Sequence, residues 1–95
     1  MSTPEGKVKE KIREVLKLHN VYAHMPVLNG MGKPSLDFVC CHRGQFFAIE
    51  AKAPGKTWTE RQLKTKAEME AAGGTVFLVS KKSELEEVAI WLASI

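Results

Sequence analysis

Two carboxylates and a lysine stand next to residues that would otherwise form apolar strands. Asp37 comes directly before the run 38–41, and Glu50 and Lys52 lie at the end of the run 45–52. Carboxylate oxygens are the ligands that hard divalent cations prefer. A lysine beside them can stabilise negative charge that develops on a phosphate during reaction. These residue types therefore favour metal-dependent hydrolysis of a phosphodiester.

The elements that must position these side chains are two strands of a β-hairpin. Residues 36–41 and 45–52 are rich in β-branched, aromatic and small residues, and each run is bounded by Gly or Pro. If Arg43 and Gly44 form a two-residue turn, His42 pairs with Gln45. A three-residue loop with a bulge would instead shift the pairing by one residue.

The two-residue turn places the three charged side chains together. Counting back from it, Asp37 lies opposite Glu50 and Ser35 lies opposite Lys52. Because side chains alternate along a strand, Glu50 and Lys52 share one face of the sheet, and Asp37 joins them there. Directly opposed carboxylates destabilise a strand pair. A divalent cation held between them would remove that cost.

Length and composition indicate one ordinary globular domain. The chain has 95 residues, of which 44% are hydrophobic, so we expect a single domain over residues 1–95. It contains no apolar run long enough to cross a bilayer and no signal peptide. We therefore expect a cytoplasmic protein with no membrane partner. Neither a GxxxxGK[ST] nor a GxGxxG motif occurs, so a nucleotide cofactor is not expected.

Positive charge is concentrated just after the carboxylates. The net charge is +3, and residues 52–66 contain five basic residues and one acidic residue. Such a block is typical of a surface that binds a phosphate backbone, although a solvated helix face has the same composition. The glycine-rich loop 29–34 adds one more lysine. The candidate DNA-binding residues are Lys33, Lys56, Arg61, Lys64 and Lys66.

The order of elements predicts an α/β fold. Periodicity and cap residues indicate α-β-β-β-α-β-α, with helices on both faces of a mixed sheet. The predicted bounds are helix 3–19, strand 21–28, the hairpin, helix 59–72 with Leu63, Ala67 and Ala71 inward, strand 75–79 and helix 83–93. The wholly apolar strand 75–79 predicts a position inside the sheet.

Two further polar residues have alternative interpretations. Glu5 lies on the apolar side of the first helix, where it could bind a metal or orient a metal-bound water. Ser2 and Glu5 also fit a capping box, as do Thr59 and Gln62. Gln62 begins the helix after the carboxylates, so it could also contact phosphate or water.

The pair Cys40-Cys41 does not favour zinc. Adjacent strand residues point to opposite faces of a sheet, and no second CxxC pair is present. Two buried, reduced thiols of a cytoplasmic protein are the better interpretation.

Taken together, these residues resemble a known nuclease family. The segments Gly32-Lys33-Pro34-Ser35-Leu36-Asp37, Glu50-Ala51-Lys52-Ala53-Pro54-Gly55 and Thr59-Glu60-Arg61-Gln62 resemble the VRR-NUC domain, the virus-type replication-repair branch of the PD-(D/E)xK superfamily. The resemblance extends from Glu5 to the strand 75–79. The chain departs from the family pattern at one place. In that pattern the aspartate directly follows the proline, whereas here Ser35 and Leu36 separate Pro34 from Asp37.

The resemblance implies a restriction-endonuclease-like core and a set of roles. Asp37, Glu50 and the Ala51 carbonyl would bind Mg²⁺ or Mn²⁺, with Glu5 assisting through water. Lys52 would orient water or stabilise developing charge, and Gln62 would position water or phosphate. Stand-alone domains of this family are associated with phages, and hence with the host cytoplasm. They are also associated with homodimers that cut branched DNA such as four-way junctions.

Two other functions fit the same residues. A non-catalytic DNA-binding module could keep the fold and the basic surface. A nuclease that acts on RNA or on single strands would differ in its substrate and in no residue visible in the sequence.

Overall fold

The turn at Arg43-Gly44 sets the register of the sheet. In the computed structural model, which describes residues 3–27 and 32–95, strand β2 (Phe38–His42) pairs antiparallel with β3 (Gln45–Ala51). His42 lies opposite Gln45. Arg43 and Gly44 have φ values of 51° and 81°, the left-handed conformation that a two-residue type I′ turn needs at both central positions. The predicted turn and register are confirmed.

Strands β1 (Tyr22–His24) and β4 (Thr75–Val79) complete the sheet in the described parts of the chain. Its order is β1-β2-β3-β4, with β1 antiparallel to β2 and β4 parallel to β3. Parallel neighbours need a long crossover connection, which here contains a helix between β3 and β4. The predicted α/β class and the order α-β-β-β-α-β-α are confirmed.

Three helices in the described ranges cover the two faces of the sheet. Helices α1 (Pro4–Leu18) and α3 (Lys82–Ser94) pack on one face, and α2 (Glu60–Ala71) lies on the other. Thr3 caps α1 and Thr59 caps α2, each through a side-chain oxygen that accepts a backbone N–H. Between α1, α3 and the sheet lies the core: Ile12, Leu16, Phe38, Cys40, Phe47, Ile49, Ala51, Val79, Val88 and Leu92.

Strand β1 is shorter than the predicted strand 21–28. It ends at His24, and Val27 is exposed. Pro26 has no N–H to donate to a ladder, which explains why pairing stops before it. Leu28 lies outside the described residues, as does Gly30 of the predicted glycine-rich loop.

The predicted position of the last strand inside the sheet is wrong. In the described sheet β4 has one neighbour, β3, and therefore lies at the edge. Apolar side chains still suit it, because helices α2 and α3 both contact β4. An apolar strand indicates that helices cover both faces of the sheet at that position. It does not indicate how many neighbouring strands the strand has.

The predicted inward face of α2 is also wrong. Leu63 is 46% exposed, and Ala67 and Ala71 are exposed as well. The inward side chains instead follow the helical spacing from Gln62 to Thr65 and Met69. The helix is turned so that a polar side chain at its first turn reaches the sheet.

The predicted burial of the two thiols is confirmed for Cys40 and wrong for Cys41, which is exposed. Adjacent strand residues point to opposite faces of the sheet, so only one of the two can face the core. Burial raises the pKa of the Cys40 thiol to about 12, so this side chain behaves as a small apolar residue.

Within residues 3–27 and 32–95, no helix has the length and apolar character needed to cross a membrane.

Candidate active site

The predicted site residues gather at one end of the sheet. The carboxyl end of β3 lies beside the residue that precedes β2, and the first turns of α1 and α2 reach the same place. The amino end of a helix carries partial positive charge and favours anionic groups nearby. This end of the sheet is therefore suited to hold carboxylates.

Asp37 and Glu50 lie opposite each other and exchange hydrogen bonds with the backbone. The Asp37 N–H donates to Glu50 Oε1 at 3.1 Å, and the Ala51 N–H donates to Asp37 Oδ2 at 3.0 Å. These bonds extend the pairing by one position beyond Phe38 and Ile49. The predicted juxtaposition of the two carboxylates is present in the structure.

Glu50 is almost completely enclosed, and its second oxygen faces two donors. Its side chain is 6% exposed, and Oε2 accepts a hydrogen bond from Gln62 Nε2 at 2.7 Å. Lys52 Nζ lies 3.9 Å from the same oxygen, and its side chain is 12% exposed. The three residues thus form a cluster, in which Glu50 and Lys52 are largely shielded from water.

The Gln62 side chain closes a capping box and also contacts Glu50. Its Oε1 accepts the Thr59 N–H at 3.1 Å, and the Gln62 N–H donates to Thr59 Oγ1. The capping box is therefore present. The side-chain amide nitrogen of Gln62, which takes no part in the capping box, donates to Glu50.

The environment of Glu50 opposes its ionisation. Burial raises the pKa of this carboxyl, and the nearby charge of Asp37 raises it further, to about 7. The Asp37 N–H and the Lys52 ammonium lower the pKa of Glu50, but by less. Groups with a strongly shifted pKa are concentrated in functional sites, so Glu50 is a candidate functional residue.

Lys9 is a member of the site that the sequence pattern did not reveal. Its Nζ lies 3.4 Å from Glu5 Oε2 and 3.7 Å from Asp37 Oδ1. Glu5 therefore joins the cluster through Lys9. Thr3 is the N-cap and accepts the Gly6 N–H, so Glu5 is not the glutamate of a capping box. The signal for Lys9 was its position four residues after Glu5, on the same side of α1.

The part of the site that suits a divalent cation is the acidic pair Asp37 and Glu50. The two facing carboxylates of Asp37 and Glu50 destabilise each other's charge, and a hard cation between them would relieve this. In the described ranges, no group of three His, Cys, Asp or Glu side chains is placed to hold a metal. A bound ion would complete its shell with backbone oxygen, such as Ala51, or with water.

The predicted DNA-binding residues differ in their surroundings. Lys33 pairs with Glu68 at 3.1 Å, and Lys66 pairs with Glu70 at 3.0 Å. The ion pairs between described residues include none of the remaining three, Lys56, Arg61 and Lys64, which are all exposed. The unpaired charge lies on and before the first turns of α2, close to Gln62.

Comparison with known proteins does not place the chain in a family. No family model matches the chain, and no curated protein is significantly similar to it.

The raised pKa of Glu50 predicts a specific pH dependence of stability. Between an unfolded pKa of 4.5 and a folded pKa of about 7, the native state holds a proton that the unfolded state releases. Stability therefore falls as pH rises through this range, by about 3 kcal/mol from this group alone. Urea unfolding from pH 5 to pH 8 should show this fall in the wild type and lose it in Glu50→Gln.

The exposed Glu87 gives the matched control. Glu87→Gln should retain the wild-type pH profile. If Glu50→Gln and the wild type give parallel profiles, the carboxyl of Glu50 does not hold a proton in the native state near neutral pH.

Proposed function

We propose that the protein is a metal-dependent endodeoxyribonuclease. The observation that carries the proposal is the acidic pair Asp37 and Glu50, which face each other with Lys52 beside them at one end of the sheet. Packing does not need two facing carboxylates there, and their mutual repulsion has a cost. A divalent cation bound between the two carboxylates would offset this repulsion.

The residues of this chain divide the work as follows. Asp37 and Glu50 would hold Mg²⁺ or Mn²⁺, with the Ala51 carbonyl as a further ligand and Glu5 contributing through water. The metal, when bound, supplies a polarised phosphate and a more acidic water. Lys52 stabilises the negative charge that develops on the phosphate. Gln62 orients Glu50 through its amide, and it would position water or phosphate.

The substrate we propose is DNA, and branched DNA in particular, cut by a homodimer in the cytoplasm. Arg61 and Lys64 lie in the first turns of α2, the helix whose Gln62 contacts Glu50, and Lys56 precedes that helix, so a phosphate backbone would run along this segment. Two sites related by a twofold axis could make paired cuts in a four-way junction, which has similar symmetry. The resemblance to phage-associated VRR-NUC domains supports this choice, and a phage-encoded protein would act in the cytoplasm of its host.

Cleavage assays test the proposed activity directly. Labelled linear duplex, flap and four-way junction DNA should be cut with Mg²⁺ or Mn²⁺ and left intact with EDTA. Lys52→Met should lower the rate by roughly 10²–10³-fold, because it removes one preorganised charge from the transition state. Asp37→Asn should lower it at least as much, because it removes a ligand.

Lys17 provides the control, since it is exposed in the last turn of α1, away from the acidic cluster. Lys17→Met should cut at the wild-type rate. Wild-type activity in Lys52→Met would remove Lys52 from the mechanism. Preference for single strands or RNA in the same assay would replace branched DNA as the substrate.

A second function, a non-catalytic DNA-binding module, is favoured by the position of Lys9. Its ammonium already supplies positive charge between Glu5 and Asp37. In such a module Lys9 would take the place of the metal as the counter-charge of the acidic pair. DNA binding would then persist in Asp37→Asn, and no metal would be needed.

Thermal unfolding with added metal separates the two functions. At pH 8, Mn²⁺ at about ten times its Kd should stabilise a nuclease by roughly 1.4 kcal/mol. This corresponds to a rise in Tm of about 5–10 °C for a domain of this size. Asp37→Asn should abolish the rise. A Tm that does not respond to Mn²⁺ in the wild type would favour the non-catalytic module.

Sedimentation tests the homodimer. The protein should sediment as a dimer at micromolar concentration, because paired cuts need two sites in one particle. The cleaved junction should then yield two nicks per binding event. A strict monomer that still cuts junctions would contradict the paired-cut proposal without affecting the nuclease chemistry.

A further inference from the structure

A second basic surface lies on the other side of the acidic cluster from α2. Residues from α1 and from the start of α3 enclose a hollow of about 200 Å³. Four lysines line it: Lys7, Lys11, Lys81 and Lys82. Its remaining lining is mostly apolar, from Val8, Pro54, Val79 and Leu85, with Ser80 between them. We name this feature the lysine hollow.

The charges of the lysine hollow are largely uncompensated. The ion pairs between described residues include neither Lys7, Lys11 nor Lys81, and all three are exposed. Lys82 lies 4.0 Å from Glu86, but both side chains are well exposed, so the pair is weak. Several lysines brought together without acidic partners repel one another, which an anionic ligand would relieve.

The carboxylate of Glu84, near Ser80 of the hollow, is already engaged. Glu84 Oε1 accepts hydrogen bonds from both the N–H and the Oγ of Ser80, each at 2.8 Å. These bonds hold Glu84 against the turn that follows β4. Glu84 therefore does not neutralise the lysines of the hollow.

The lysine hollow adjoins the acidic cluster through two short connections. The Lys52 N–H donates to the Val79 carbonyl, and Pro54 follows two residues later. On α1, Lys7 belongs to the same first turns as Glu5 and Lys9, whose side chains belong to the cluster. The hollow and the acidic pair are thus neighbouring parts of one end of the sheet.

The size of the hollow indicates which part of a nucleic acid it takes. Sites that enclose drug-sized molecules have volumes of roughly 300–1,000 Å³, and this hollow is smaller. A phosphate group presents the charge and size that ammonium groups around a shallow depression recognise.

We propose that the lysine hollow binds phosphates of the DNA backbone on the side of the acidic pair opposite to Lys56, Arg61 and Lys64. This inference rests on the proposed DNA-directed function and extends its binding surface. The strand crosses the acidic pair with basic groups on both sides, so the contacts there hold the scissile phosphate in register. The lysines come from segments far apart in the chain, so only the folded structure brings them together.

The salt dependence of DNA binding tests the lysine hollow without requiring cleavage. Anisotropy of labelled duplex DNA in EDTA, from about 50 to 200 mM salt, gives the slope of log K against log salt. The triple variant Lys7→Gln, Lys11→Gln, Lys81→Gln should reduce this slope by about 0.9 for each phosphate that it no longer neutralises. Its affinity near 100 mM salt should fall by roughly tenfold or more.

Lys17→Gln is the matched control, because it removes one exposed lysine from the other end of α1. It should leave slope and affinity near the wild-type values. Circular dichroism and Tm show whether the triple variant is folded, and Lys81→Glu alone repeats the test if it is not.

The outcomes separate the two proposals. If the wild type binds and the folded triple variant has the same slope, the lysine hollow is not part of the DNA surface, and the proposed nuclease is unaffected. If the triple variant has a smaller slope while the wild type fails to cut with any metal, the lysine hollow stands and the nuclease does not. If the wild type does not bind DNA, both are wrong.

Discussion

The arrangement at the end of the sheet depends on one constraint, the burial of the Glu50 carboxylate opposite a second carboxylate. A buried charge without partners is costly. Here three segments each contribute one partner: the residue before β2 gives the Asp37 N–H, α2 gives the Gln62 amide, and the residue after β3 gives Lys52. The orientation of α2 follows from the same need, since Gln62 must face the sheet to reach Glu50.

Much of the fold follows from local rules. The turn at Arg43-Gly44 sets which residues of the hairpin face each other, so a two-residue count was enough to bring Asp37 opposite Glu50. Cap residues and apolar periodicity gave the helix bounds to within one or two residues. Local rules do not predict how many strands β4 pairs with, because an edge strand covered by two helices has the same composition as a central strand.

The errors within the site have a common cause. The predicted inward face of α2 followed its apolar residues, whereas the structure follows its polar ones, because the carboxylate in the sheet needs a donor. Lys9 was missed for a related reason. A lysine on a helix is normally a solvated residue, and only the packing of α1 against the sheet brings this one within reach of Asp37. Both facts depend on tertiary contacts between distant segments.

The double use of Gln62 links the start of α2 to the charge state of Glu50. Its carbonyl oxygen closes the capping box, while its amide nitrogen donates to a carboxylate, and a hydrogen bond to an ionised acceptor is stronger than one to a neutral acceptor. By thermodynamic reciprocity, whatever favours the ionised form of Glu50 also favours the ordered first turn of α2, and the reverse holds equally. The helix terminus and the carboxylate therefore behave as one cooperative unit. Binding of a proton or cation at Glu50 changes the backbone order of the first turn of α2.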